Sequence, residues 1–144
     1  FLEIITFGEL VNFYDFYTNE YKLKDENKDV YILRDIVKLR NAVAHNNTIF
    51  DTRFKTSKVN LRIAKCISAE TGISNITFES IVDYVILISF MMKLLECPKK
   101  KILAFIRKIE KNCEELRGKV STSIFNTIVY TDTRNKLNLL KKYL

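Results

Sequence analysis

A chain of 144 residues with 47% hydrophobic side chains can bury one good core, so residues 1–144 are expected to form a single domain. Three glycines and one proline leave little material for the tight turns of an all-β fold, whereas Leu, Ile, Lys, Glu and Asn suit long helices, so the expected class is all-α. A net charge of +7 favours a polyanionic partner, nucleic acid foremost.

In chain order, residues 1–21 read as a first helix rich in aromatics. The sequence opens at Phe1 inside what is already an amphipathic segment, so further residues ahead of it, an N-terminal helix among them, are expected. A charged connection around residues 22–28 leads to a second helix over about residues 29–46. Placed on a helical wheel, Ile32, Leu33, Ile36, Val37, Leu39, Val43 and Ala44 form one wide apolar arc that also takes in Arg40. An unpaired guanidinium inside that arc would be costly, so Arg40 is expected at an interface or paired with a buried acid such as Glu9 or Asp83. Arg34, Lys38, Asn41 and His45 form a separate polar stripe along one edge. After a loop through residues 47–56, a third helix should end near Gly72.

Ile76, Thr77 and Ile81 match a hydrophobic staple around an N-cap and predict the start of an apolar core helix over residues 81–95. That run contains Asp83 and is shorter than the ~20 residues needed to cross a bilayer, so no membrane partner is expected. Pro98 suits the first turn of a fifth helix, whose seam of Ile102, Phe105, Ile106, Ile109, Cys113 and Leu116 packs on one side until Gly118 breaks it. A short segment over residues 123–130 precedes a last helix capped near Asp132 and running through Leu137, Leu140 and Tyr143. The sum is a bundle of about five to seven helices.

Cys66, Cys97 and Cys113 are odd in number and far apart, and they read as small buried residues of a reducing cytosol. With a single histidine and no cysteine pair at ligand spacing, neither a metal site nor any other cofactor is expected. No signal peptide is visible.

The segment RNAVAH, Arg40 to His45, places Arg40, Asn41 and the chain's one histidine within less than two turns, with Asn41 and His45 on one helical face. Arginine grips phosphate in a planar fork and imidazole moves protons near neutral pH, so the group suits phosphate chemistry. The plainer alternative is a hydrogen-bonding cluster at a helix end. Lys58, Arg62 and Lys65 lie on one face of the third helix, preceded by Arg53 and Lys55, and could carry an RNA backbone toward His45, with Phe50 or Phe54 stacking on bases. Solvated surface charge is the competing explanation for any one of them.

RNAVAH resembles the R-x4-H signature of the HEPN superfamily. FLEIITFGELVNFYDFY at residues 1–17 and LRNAVAHNNTIFD at residues 39–51 resemble the Abi family of bacterial abortive-infection proteins, and the ending TIVYTDTRNKLNLL is suggestive. The resemblance implies a HEPN-like helical bundle, a bacterial cytoplasmic location and metal-independent endoribonuclease activity in an anti-phage or toxin–antitoxin setting. It also implies a homodimer, in which two motif helices build one composite cleft with Arg40, Asn41 and His45 as catalytic residues. Arg34, Lys38, Arg53, Lys55, Lys58, Arg62 and Lys65 would contact RNA, and an antitoxin or structured non-coding RNA would restrain the enzyme. Because HEPN domains that only bind are known, a non-catalytic RNA-binding or protein-interaction module is the alternative.

Overall fold

The computed structural model describes residues 6–22, 27–46, 61–129 and 131–144, and every regular element among them is an α-helix. In order these are α1 (Phe7–Glu20), α2 (Asn27–Ala44), α3 (Leu61–Thr71), α4 (Ile81–Leu94), α5 (Lys99–Arg117), α6 (Thr122–Ile128) and α7 (Thr133–Tyr143). The all-α expectation therefore holds.

α4 is the centre because it is apolar nearly all round. Val82, Tyr84, Val85, Ile86, Leu87 and Phe90 are all buried, as befits a helix with neighbours on several sides. α2, α5 and α7 pack against it, α3 fills the space against α2 and α7, and α6 lies on α5. Leu39, Ile67, Ile102, Ile106, Leu137 and Leu140 complete one shared core. α1 contributes nothing to that core and packs on α2 instead.

Capping decides where the helices begin. Thr6 Oγ1 accepts from the Glu9 amide at 3.2 Å while the Glu9 carboxylate accepts from the Thr6 amide at 2.7 Å, so a reciprocal capping box starts α1 at Phe7. Residues 1–5, part of the expected first helix, lie outside the described residues. The cap of α4 is Ser80, whose hydroxyl accepts from the Val82 amide, and not the expected Thr77. The cause is Asp83, which accepts from the amides of Thr77 and Phe78 at 3.0 and 2.9 Å and holds those residues in a loop ahead of the helix. Pro98 is the N-cap of α5, one position earlier than expected, with its carbonyl accepting from Lys101 and Ile102. Gly72 follows α3 at φ +70°, the left-handed conformation that suits glycine there. The short segment expected after Gly118 is a helix, α6, starting after Ser121 as N-cap.

The three cysteines are free thiols and only half-buried, a correction to their expected burial: Cys66 and Cys113 sit beside the buried residues of α3 and α5, and Cys97 lies in the connection between α4 and α5. Among the described residues no helix is long and apolar enough to cross a membrane, and no group of three metal-binding side chains comes together.

Candidate functional site at the end of the motif helix

α2 buries a narrow stripe of Asp35, Leu39 and Ala42, spaced four and three apart, beneath which lies α4. Arg40 falls beside that stripe and is exposed, as are Val43, at 58%, and Ala44. The expected arc is thus too wide at its C-terminal end: Leu39 is buried and Leu33, Ile36 and Val37 are half-buried, but Arg40, Val43 and Ala44 face outward. The side chain of Ile32 lies outside the described residues. Neither suggested acid pairs with Arg40, since Glu9 caps α1 and Asp83 is engaged in the core.

The Arg40 guanidinium donates from Nη1 to Asn41 Oδ1 at 2.9 Å. The last turn closes with the His45 amide donating to the Asn41 carbonyl at 2.9 Å and the Asn46 amide donating to that of Val43 at 3.1 Å. Asn46 then takes φ +53°, a left-handed exit that asparagine tolerates. The result is an open ridge at the helix end carrying Arg40, Asn41 and His45, all solvent-exposed.

The rest of the polar stripe is committed elsewhere. Arg34 pairs with Asp15 and ties α2 to α1, while Lys38 pairs with the buried Asp35 at 3.1 Å. Both cations are therefore partly neutralised. Of the basic residues expected beyond the motif, Arg62 and Lys65 lie exposed on α3, three positions apart. Arg53, Lys55, Lys58, Phe50 and Phe54 lie outside the described residues.

Two features were not read from sequence. Lys136 on α7 is buried against Asp83 at 2.8 Å and spends its other donors on the Asn75 carbonyl at 2.8 Å and Asp132 at 3.2 Å. A lone acid within an apolar run and a lysine on an apolar helix face were the available signals. The second is a cleft of about 410 Å³ between α5, α6 and α7, where Arg117 lies 5.6 Å over the Phe125 ring. Burial, then the neighbouring Glu114 and Glu110, push the Cys113 thiol in this cleft above its ordinary range. None of the motif residues lines it.

No family model matches the chain, and neither does any curated protein or solved structure. The assignment of function rests on the residues.

Proposed function

We propose that the chain is a metal-independent endoribonuclease of the HEPN kind, acting in bacterial anti-phage defence or as a toxin, with two motif helices meeting in a homodimer. The observation that carries this reading is the ridge itself: a guanidinium, an amide and an imidazole, exposed together at one helix end. In the reaction the ribose 2′-oxygen attacks the adjacent phosphorus, a base takes its proton, and the bond to the 5′-oxygen breaks as an acid protonates it. The products carry a 2′,3′-cyclic phosphate and a 5′-hydroxyl. Two imidazoles serve as base and acid, so His45 must act with a second copy, while Arg40 offsets charge on the crowded phosphorus and Asn41 orients Arg40.

Support for a dimer comes from apolar exposure near the ridge. Val43 stands among the motif residues, and Phe13, Phe16, Tyr17 and Tyr21 are exposed on α1, the helix packed on α2. The rings of Phe13, Tyr17 and Tyr21 lie against one another in a row along α1, and an exposed apolar row of that kind favours a protein contact. The second reading, a non-catalytic RNA-binding or protein-interaction module, is favoured by the exposure of Arg40, Asn41 and His45, around which the described residues of one protomer build no walls to exclude water. The remaining partners proposed are an antitoxin or structured RNA that restrains the enzyme, and a cytoplasmic site of action.

Incubating purified protein with RNA in excess EDTA, followed by end-group analysis, tests the reading. Cyclic-phosphate and 5′-hydroxyl ends are expected, together with a dimer in sedimentation. Products with 5′-phosphate ends, activity restored only by magnesium, or a strict monomer would reject it.

A further inference from the structure

The outward face of α5 carries a concentration of positive charge that the motif does not use. Lys99, Lys100, Lys101, Arg107, Lys108 and Lys111 lie within its first thirteen residues, and all are exposed. Set on a wheel, Lys100, Arg107, Lys111, Lys108 and Lys101 span an arc opposite Ile102 and Ile106, which are 1% and 0% exposed in the core. No ion pair or hydrogen bond among the described residues engages the side chains of Lys99, Lys100, Lys101, Arg107 or Lys108, and Lys111 has only a loose contact with Glu115 at 3.7 Å. The carboxylate of this stretch, Glu110, is taken by Lys141 at 2.5 Å. The contrast with α2 is direct, since Arg34 and Lys38 there are already paired.

Like charges gathered along one helix repel each other and, in the first turn, oppose the helix dipole. α5 has no acidic residue in that turn and no side-chain cap to offset them. A line of negative charge laid along the face would relieve both. We propose that the outer face of α5 binds the phosphodiester backbone of a nucleic acid, independently of the motif ridge on α2 and of whether that ridge cleaves.

The dimensions agree. Lys100 to Lys111 covers about 16 Å of helix, at ~1.5 Å per residue, a length over which each strand of a duplex carries about five phosphates at ~3.4 Å of axis apiece. The arc contains Ala104 and no aromatic side chain, so contact stops at phosphate and sugar, and binding does not depend on base sequence. A lipid surface fits less well, because an interfacial helix needs a free apolar face and that of α5 is spent on α4.

The test measures affinity for oligouridine RNA and for oligothymidine DNA of equal length across about 50 to 200 mM salt. It compares the parent with a variant combining Lys100→Gln, Arg107→Gln, Lys108→Gln and Lys111→Gln, and with a second in which the same positions become Glu. Loss of four phosphate contacts should flatten the slope of log affinity against log salt by about 3 and weaken binding several hundred-fold near 0.1 M, for both polymers. His45→Ala should keep the parental slope, and the Gln variant should keep any cleavage of a dinucleotide too short to reach α5. Circular dichroism confirms that the variants fold, and the Gln set, which adds no new charge, serves if the Glu set does not. Unchanged affinity and slope in folded variants overturns the proposal, as does tighter binding to vesicles of anionic phospholipid that the same substitutions abolish.

Discussion

Arg40 shows what a linear pattern can and cannot reveal. Its identity beside Asn41 and five residues before His45 was legible, and so was its chemistry. Its exposure was not, because the wheel assigned a wide arc to the core while only Asp35, Leu39 and Ala42 of the described α2 side chains are fully buried and Leu33, Ile36 and Val37 are half-buried. Asp35 in particular carries no apolar signal and is buried all the same, held by Lys38. The exposed position of Arg40 makes a sharp expectation possible. Arg40→Ala and His45→Ala should each lower the cleavage rate by about 10²- to 10⁴-fold, the range for loss of a positioned acid–base or charge-stabilising group. Surface truncations away from core features shift stability by no more than ~0.5 kcal/mol, so both variants should melt with the parent. Thermal unfolding beside the rate assay checks this, and a large fall in Tm for Arg40→Ala would mean that the guanidinium is structural.

Helix ends were read from sequence where one residue sets the geometry, and missed where a distant side chain does. Gly72 and Gly118 marked the ends of α3 and α5 correctly, whereas the local box of Thr6 and Glu9 that starts α1 was not read, the first helix being expected from residue 1. Ser80 in place of Thr77 was unreadable, because the choice is made by Asp83 gathering two amides from the loop. Two predictions belong here. Thr6→Ala should cost α1 about 1 kcal/mol, seen as faster amide exchange in its first turn. Its hydrogen bonds to Thr6 hold the Glu9 carboxyl below its ordinary value, so the cap is intact above pH 4.5 and fails as pH drops through the lowered folded value. In the core, Lys136→Met leaves Asp83 buried without its cation and should destabilise the fold by about 3 to 5 kcal/mol, measured by urea unfolding. A shift within error would mean that the amides of Thr77 and Phe78 alone satisfy the carboxylate.

At the scale of the whole molecule, charge is segregated as well as abundant. α1 carries Glu9, Asp15 and Glu20 with no lysine or arginine, whereas α5 carries seven cations against three acids. The net value of +7 gave the sign of the partner but not the address, since ion pairing on α2 is a three-dimensional fact. The helical class needed only composition and periodicity, and so it was legible throughout. Alkaline behaviour follows from packing. Burial, the first cause in each case, raises the Tyr84 and Tyr143 phenols and the Cys113 thiol above their ordinary values. The folded state then holds protons that the unfolded chain releases, so this stability is complete below pH 9 and is lost as pH climbs through 9 and 10 toward the raised values. Denaturant midpoints across that interval should fall steadily, and a flat profile would contradict the burial of these groups.

The ion pair between α4 and α7 also sets an order of events during synthesis. Asp83 emerges 53 residues before Lys136, and until then its carboxylate has no cation with which to enter the core. The central helix cannot settle into its final packing while the last helix is still being made, so the bundle closes late and all at once. A chain cut short before α7 would expose the apolar sides of α4 and so be open to aggregation and proteolysis.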